Sequence, residues 1–398
     1  MIRIGERDAV ISGVGQSTIG RRLGRSGVDL SVEAVTRAVD HAGLTLADID
    51  GVSTWPGYQP NSMGMAPVGV RDVKEALGLE VDWFCGGSET PGQFGAVFNA
   101  VAAVAAGFAR HVVCFRTVTE ATSIAAARNS PNPAGAVDRA RVPAGSLLHW
   151  QMPFDARSAA NILGMVANLH MHTYGTTRAQ LGQIACTLRE HAARNPKAVY
   201  RTPLTMDDYL SARMISTPFG LYDCDVPVDA STAVVISAAG CAGDLRRPPV
   251  RVEAIGSALH GRDSWDQRAD LTTMAATDAA RMLWRRTDLK PSDLDLATLY
   301  DGFSFLPLAW LEALAICGPG ESGPFVEDGR NISFGGTLPL NPHGGQLSEG
   351  RTHGFGHLHE ACLQLWGEAG DRQVPGARVA VAAAGGGPLA GCILLTSG

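Results

Sequence analysis

The stretch AVTRAVDHAGLTLADIDGVSTW, Ala34 to Trp55, decides the fold, because its plan returns later in the chain as AARMLWRRTDLKPSDLDLATLY, Ala279 to Tyr300. Each copy has apolar residues at helical spacing, then an acidic triplet (Asp-Ile-Asp or Asp-Leu-Asp) and a short run typical of a β-strand. Aligning the two triplets places Trp55 opposite Tyr300. A helix followed by a strand, present twice, predicts a duplicated α/β architecture.

Two further pairs of segments repeat in the same order. DAVISGVGQS, residues 8–17, matches VRVEAIGSAL, residues 250–259, and both are typical of β-strands. ARHVVCF, residues 109–115, matches ARVAVAA, residues 377–383, and in both halves a helical stretch of small residues precedes that strand. Strand, helix, strand, helix and strand in duplicate predict two βαβ-type sheets with helices on their faces.

The length of 398 residues exceeds the usual size of one hydrophobic core, which fits a division into two halves. We place the link at RRPPV, so that residues 1–248 form the N-terminal half and residues 249–398 the C-terminal half. A loop domain is inserted into the first half at about residues 116–215. It contains a loop rich in Pro, Asn and Gly, RNSPNPAGAV, and two predicted helices, SAANILGMVANLHMHTYG and RAQLGQIACTLREHAARN.

The composition excludes several classes of protein. Hydrophobic residues make up 45% of the chain and charged residues 18%, as in globular proteins, and a net charge of −6 gives no support for nucleic-acid binding. The charged N-terminus lacks the apolar core of a signal peptide, and the longest run of small apolar residues, 96–107, is too short to span a membrane. Eight cysteines without a CxxC pair indicate reduced thiols rather than disulfides or a zinc site. We therefore expect a cytoplasmic protein without a membrane span or a metal of its own.

The loop NPHGGQLSEGRTHGFG, residues 341–356, carries the clearest resemblance to a known family. An Asn, a Gly-Gly pair and a later Gly in this order resemble an active-site loop of the thiolase superfamily. Other stretches resemble its sterol-carrier-type thiolases, or lipid-transfer proteins, which include aldolases that cleave steroid side chains as coenzyme A thioesters: HMHTYGTTRAQL, YDCDVPVDAS, LYDGFSF and AAGGGPLAG. The resemblance covers nearly the whole chain and implies a thiolase-like α/β fold of five layers, αβαβα.

The resemblance also identifies four positions at which thiolases carry their functional side chains. Thr90 replaces the nucleophilic cysteine, and Cys85 lies five residues earlier, where we expect a core thiol on the preceding strand. Ala383 replaces the second cysteine, Tyr300 an Asn or His, and Arg351 the catalytic histidine. Because a threonine hydroxyl stays protonated at neutral pH, condensation through a covalent acyl-enzyme is not expected.

The remaining groups predict an acyl-CoA retro-aldolase, a carbon–carbon lyase. Its substrate is a 3-hydroxyacyl-CoA with a steroid or sterol side chain, and its products are a ketone or aldehyde and a short acyl-CoA. Related aldolases are thought to use tyrosines at the positions of Tyr300 and Arg351, so we assign Tyr300 as acid/base and Arg351 as the charge that lowers its pKa. His353 is an alternative base. Residues expected to bind the substrate or its neighbours are Thr90, Asp301, His343, Gly344, Gly345, Glu349, Gly386 and Gly387.

Several of these residues have more specific expected roles. Glycine backbone N–H groups approach the thioester oxygen closely, and Glu349 orients a neighbour or neutralises Arg351. His357 and His359, in HGFGHLHEA, are expected to face solvent or a dimer surface from a helix. Carboxylates expected to hold strand ends together rather than react are Asp223, Asp225 and Asp301.

Two other functions remain open from the sequence. Loss of both cysteines and the histidine also fits a non-catalytic acyl-CoA- or lipid-binding subunit, or an acyltransferase subunit that uses a partner's nucleophile. The resemblance implies a homodimer and association with a small OB-fold protein that carries zinc. No cofactor is expected in this chain, because the CoA thioester is the substrate and any zinc belongs to the partner.

Overall fold

A computed structural model describes residues 5–60, 62–130, 149–156, 158–261 and 268–398. No helix in these ranges is long and apolar enough to cross a membrane. The strands are β1 Ala9–Gln16, β2 Gly51–Thr54, β3 Trp83–Gly86, β4 His111–Thr119, β5 Met214–Ser216, β6 Phe219–Gly220, β7 Asp229–Ala238, β8 Val250–Gly256, β9 Leu296–Thr298, β10 Val379–Gly385 and β11 Ala390–Thr396. The α-helices are α1 Gly27–Ala42, α2 Val70–Leu77, α3 Gly95–Ala105, α4 Glu120–Arg128, α5 Ala159–Tyr174, α6 Arg178–Ala193, α7 Met206–Ser211, α8 Ala275–Trp284, α9 Phe305–Ala313, α10 Ser322–Val326, α11 Gly345–Ser348 and α12 Phe355–Trp366.

The predicted duplication of strands is confirmed, but in the described ranges the two predicted sheets are joined into one sheet of nine strands. Within the described residues the strand order is β3-β2-β4-β7-β1-β8-β11-β10-β9. In the first half the short strand β2 pairs in parallel with β4, and β4 pairs antiparallel with β7. In the second half the short strand β9 pairs in parallel with β10, and β10 pairs antiparallel with β11. A short antiparallel ladder between β1 and β8 joins the halves. The boundary at residues 248–249 stays a prediction; it falls directly before β8.

The helix α1 shows how the repeated stretch forms its local structure. The hydroxyl of Ser26 accepts a hydrogen bond from the backbone N–H of Asp29 at its start, and Gly43 ends it with a φ of 80°. Its buried residues recur at helical spacing, so one face of the helix packs on the sheet: Leu30, Ala34, Val35, Ala38, Val39 and Ala42.

The helices and sheet form the five predicted layers. The first half is covered on its outer face by α1 and α2, and the second half by α8 and α9. Between the halves lie α3 and α12, whose Val97 and Leu358 share one core with Ile236 of β7 and Ile393 of β11. The loop of residues 341–356 leads into the central helix α12, so it ends in the interior of the protein.

The insertion packs against the second half. Its two predicted helices are confirmed as α5 and α6, and Leu181 and Ile184 of α6 share a core with Leu340 and Leu347. The bounds of the insertion, about residues 116–215, stay a prediction; β4 continues to Thr119. The predicted loop RNSPNPAGAV lies mostly within residues 131–148, outside the described residues.

Candidate active site

The loop of residues 341–356 is fixed to the end of β9 by polar side chains. Asn341 donates to the carbonyl of Leu299 at 2.8 Å and accepts from its N–H at 2.7 Å. The buried carboxylate of Asp301 accepts from the N–H groups of Gln346, at 2.8 Å, and Leu347, at 3.2 Å. A carboxylate at the first turn of a helix satisfies N–H groups that have no partner inside the helix. Asp301 therefore holds the loop in register with its chain neighbour Tyr300.

Gly345 offers a direct test of this attachment. Its φ is +61°, and a Cβ there would lie 2.0 Å from Oδ2 of Asp301. Gly370 is a matched control, because its φ is +59° and a Cβ would meet nothing within 4 Å. We expect Gly370→Ala to lower the free energy of unfolding by about 1 kcal/mol, the cost of the left-handed backbone. Gly345→Ala should lower it by about 2 to 4 kcal/mol, since the carboxylate must also move. Equal losses in urea unfolding would disprove the attachment.

Arg351 is held by two carboxylates from distant parts of the chain. Its Nε and Nη2 donate to Oε2 and Oε1 of Glu120, both at 2.9 Å, and its Nη1 donates to Oδ1 of Asp225 at 3.1 Å. The predicted neutralisation by Glu349 is wrong, because Glu349 instead accepts from Nδ2 of Asn195 at 2.9 Å. Arg351 is thus a fixed, charge-balanced guanidinium rather than a free cation.

Tyr300 lies between the two main cores, and the predicted phenolate is wrong. Burial first, and then the negative charge of Asp225, raise the pKa of Tyr300, whereas Arg351 and the Gln346 side chain lower it; the net direction is upward. The lowering by Arg351 is outweighed by burial and by the charge of Asp225. Tyr300 is therefore a neutral phenol that can donate a proton or a hydrogen bond, but is not a base at neutral pH.

Asp225 was missed by the sequence reasoning, which treated both acids of YDCD as structural. Asp223 has that role: its buried carboxylate accepts from the hydroxyls of Tyr209, at 2.6 Å, and Ser304, at 2.5 Å. Asp225 instead pairs with Arg351. Burial raises the pKa of Asp225 to about 7, in spite of Arg351. The sequence does contain this pair of acids in a stretch that resembles the family. It does not show which of the two carboxylates faces the site.

His353 is a hydrogen-bond donor rather than the predicted base. Its Nδ1 lies 2.6 Å from Nη2 of Arg116, which can only donate, so the ring proton is on Nε2. Burial, followed by the charges of Arg116 and Arg351, lowers the pKa of His353 well below its ordinary value, so the ring is neutral. Its Nε2 lies 3.8 Å from Oε2 of Glu120. The backbone N–H of His353 donates to Oε1 of Gln346 at 2.9 Å, whereas the buried Nε2 of Gln346 makes no hydrogen bond with the described residues.

Three further histidines lie behind the loop. The prediction that His357 and His359 face solvent is wrong, because α12 is the central helix and both side chains are buried. His343 is buried as well, with its ring centroid 5.0 Å from that of His357. Burial lowers the pKa of His343 and of His359 well below the ordinary value. The neutral rings of His343 and His359 are packing groups, and Nε2 of His357 lies 3.1 Å from Oδ1 of Asp301. The described residues contain no group of three or more His, Cys, Asp or Glu that could hold a metal ion.

Two N–H groups of the predicted thioester cradle, those of Gly344 and Gly386, are hydrogen-bonded within the protein. The N–H of Gly344 donates to Asn341 at 2.8 Å, and that of Gly386 to Leu389 at 3.0 Å. The carbonyl of Gly387 accepts from Ala275 at 3.0 Å. A Cβ at Gly344 would lie 2.5 Å from that of Ala192, so this glycine permits close packing. The N–H groups of Gly344 and Gly386 therefore hold the loops in shape, and the side chains near Tyr300 supply further hydrogen-bond donors.

The other replaced thiolase positions lie before α3 and at the end of β10. Thr90 precedes α3, and its hydroxyl donates to the carbonyl of Gly92 at 3.0 Å. A Cβ at Gly354 would lie 2.7 Å from that of Ala384, next to Ala383, so the loop and the end of β10 are in contact. Cys85 is on β3, as predicted, but is partly exposed. An open groove of about 400 Å³ runs along Glu89, Thr90, Pro91, Ser257, Ala258, Leu259, Leu389 and Ala390.

Comparisons with known proteins agree with the thiolase-like fold. A family model described as thiolase C-terminal domain-like matches residues 257–395. A steroid side-chain-cleaving aldolase of Thermomonospora curvata is 34% identical over 396 residues, covering 97% of each chain. The 17-hydroxy-3-oxo-4-pregnene-20-carboxyl-CoA lyase of Mycobacterium tuberculosis is 32% identical over 392 residues, covering 97% of this chain and 98% of the lyase. The solved Ltp2-ChsH2(DUF35) aldolase superposes with a TM-score of 0.84 at 31% identity, covering 98% of both chains.

Proposed function

Because this chain belongs to the sterol-carrier-type, thiolase-like family that includes the steroid side-chain-cleaving aldolases, we propose that it is a carbon–carbon lyase acting on a steroid acyl-CoA. The substrate is a thioester with a hydroxyl on its β-carbon, and the products are a ketone and a short acyl-CoA. The observation that carries this proposal is the combination of a threonine at the nucleophile position, Thr90, with a partly buried neutral phenol, Tyr300, beside an ion-paired carboxylate.

Retro-aldol cleavage needs no covalent intermediate. A base removes the hydroxyl proton, the oxygen electrons form a ketone, and the Cα–Cβ bond breaks. The bonding electrons become the enolate of the acyl-CoA, which then takes a proton at Cα. The reaction therefore needs a proton acceptor, hydrogen-bond donors at the thioester oxygen and a proton donor at Cα.

The site contains side chains for the two donor roles. Tyr300 is a neutral phenol and supplies the proton to Cα. The unpartnered Nε2 of Gln346 and the Nε2–H of His353 donate to the thioester oxygen as it becomes an enolate. Arg351 is a positioning residue, since its guanidinium is already bound by Glu120 and Asp225. A general base is the one further group that the reaction requires.

We also propose that the chain works in a complex. The solved relative is an aldolase formed with a second, DUF35 protein, which supports a small OB-fold, zinc-bearing partner here. In the described sheet β3 is an outermost strand, and Phe84 on it is 68% exposed, which supports a homodimer formed along that edge. We propose a cytoplasmic location for the complex, which an acyl-CoA substrate supports.

Product analysis tests the activity. We would incubate the chain with a 17-hydroxy steroid bearing a 20-carboxyl-CoA side chain, alone and with the DUF35 protein of the solved relative. We expect a 17-ketosteroid and propionyl-CoA by mass spectrometry, since the bond between C17 and C20 breaks. Recovery of the intact thioester bound to the protein would instead indicate a binding subunit, and transfer of its acyl group would indicate an acyltransferase.

The absence of covalent catalysis is a separate expectation. Intact-protein mass spectrometry during turnover should show no acyl adduct, because neither Thr90 nor Ala383 is a nucleophile at neutral pH. Blocking the partly exposed Cys85 with iodoacetamide should leave the rate unchanged, and Cys85→Ser is its matched control. An acyl adduct that forms and decays at the rate of turnover would contradict the mechanism.

A further inference from the structure

We propose that Asp225 is the general base that removes the hydroxyl proton of the substrate. This inference rests on the proposed function, which leaves the proton acceptor unassigned. It depends on the position of Asp225 between the two loops of the site and on the hydrogen bonds of the carboxylates around Tyr300.

The backbone places Asp225 between the two catalytic loops. Its N–H donates to the carbonyl of Gly302 at 3.2 Å, two residues beyond Tyr300. The next residue, Val226, donates its N–H to the carbonyl of Gln346 at 3.1 Å and accepts from the N–H of Arg351 at 2.8 Å. The short segment that carries Asp225 is thus bonded to both the Tyr300 loop and the Gln346–Arg351 loop. This attachment fixes the carboxylate beside the proton donor and the thioester-oxygen donors.

Among three carboxylates in this region, Asp225 is the one with a free oxygen. Both oxygens of Glu120 accept from Arg351, and both oxygens of Asp301 accept from the N–H groups of α11. Asp225 accepts from Arg351 with Oδ1, whereas Oδ2 accepts no hydrogen bond from the residues that the structure describes. Oδ2 therefore retains lone pairs for a substrate proton, and Arg351 holds the carboxylate in place through Oδ1.

The other candidate bases are unsuitable. Tyr300 is a protonated phenol, and the acceptor nitrogen of His353 is taken by Arg116. The charged or titratable groups that face Asp225 from other segments are Arg351, Glu120, Asp301 and Tyr300. A carboxyl that is buried among them titrates near neutrality, at about 7, where a general base is most effective.

The proton balance closes with these two groups. The substrate hydroxyl gives its proton to Oδ2 of Asp225, and the Cα–Cβ bond breaks. The enolate takes the phenolic proton of Tyr300 at Cα. Protonated Asp225 and the Tyr300 phenolate then remain, and the phenolate is stabilised by the charge of Arg351. Return of the proton from Asp225 to Tyr300 restores the resting enzyme, so no external acid, base or oxidant is consumed.

The test is the pH dependence of kcat/KM for the variants Asp225→Asn and Glu120→Gln. In the unaltered protein kcat/KM should rise with pH through about 7, as Asp225 loses its proton. Asn keeps the size and the acceptor oxygen, so Asp225→Asn should bind the thioester but turn over at least about 100-fold more slowly. Its residual activity should lack the rise. In Glu120→Gln the rise should move to lower pH, because a negative charge that raises the pKa of Asp225 is removed and Arg351 is left to pair with it.

The outcomes separate this inference from the proposed function. If the unaltered complex cleaves the thioester but Asp225→Asn keeps more than about a tenth of its rate, Asp225 is not the base and the lyase assignment stands. If Asp225→Asn is unstable, the pH profile of Glu120→Gln decides. A rise in kcat/KM at the same pH as in the unaltered protein would overturn the assignment. If the unaltered complex does not cleave the thioester, the proposed function fails and the inference with it.

Discussion

Tyr300→Phe should lower kcat about 100-fold or more while the thioester still binds with unchanged affinity. Removing the phenolic oxygen leaves the enolate without its proton donor, but the phenyl ring fills the same space between the two main cores. Steady-state kinetics, with thioester binding measured in parallel, would show whether kcat falls while the affinity stays unchanged. Because the pKa of Tyr300 is raised, the unaltered protein should show no loss of kcat below about pH 10, the ordinary pKa of tyrosine.

Tyr58→Phe is the matched control for this variant. Tyr58 is 60% exposed, so loss of its hydroxyl should change neither stability nor rate. Tyr300→Phe with more than half of the original kcat would remove Tyr300 from the mechanism. A rise in KM at constant kcat would give it a binding role only.

Arg351→Met should lower the free energy of unfolding by about 3 kcal/mol at pH 8, since it removes the guanidinium that pairs with both Glu120 and Asp225. Without the guanidinium, Asp225, whose pKa burial already raises, takes up a proton still more readily in the folded state than in the unfolded chain. Groups of that kind stabilise the fold as pH falls through their folded-state pKa values. The loss should therefore be much smaller at pH 5.5 than at pH 8, as measured by urea unfolding.

Arg351→Lys provides the control, because an ammonium keeps the charge but cannot reproduce the paired contacts of the guanidinium with Glu120. We expect a stability between those of the unaltered protein and Arg351→Met. Equal losses for Arg351→Met at the two pH values would show that packing of its side chain, rather than charge balance, explains the effect.

The sequence predicted the parts of the fold that depend on local pattern. The duplicated strands and helices follow from the spacing of hydrophobic residues and from the acidic triplets between helix and strand. Both are local patterns that extend over a few residues. The replaced thiolase positions Thr90, Tyr300, Arg351 and Ala383 were found because each lies in a stretch with a family-like spacing. Their roles in this chain remain predictions.

The charges around the site could not be predicted in the same way. Arg351 meets Glu120 at the start of α4 and Asp225 before β7, residues far apart in the chain that are brought together by packing of the insertion and the sheet. Arg351 was expected to lower the pKa of Tyr300 as an unpaired positive charge. In the structure its guanidinium is paired with two carboxylates. The exposure of His357 and His359 was misjudged because a helix between two sheets is buried on most of its surface, which charge and spacing alone do not show.

Cleavage in deuterium oxide tests most directly whether the chain breaks a carbon–carbon bond through an enolate. The complex would be incubated with the 17-hydroxy steroid thioester, and the products and the intact protein would be analysed by mass spectrometry. We predict a 17-ketosteroid and propionyl-CoA that carries one deuterium at C2, with no acyl group on the protein. An intact thioester, or an acyl adduct formed at the rate of turnover, would contradict the account.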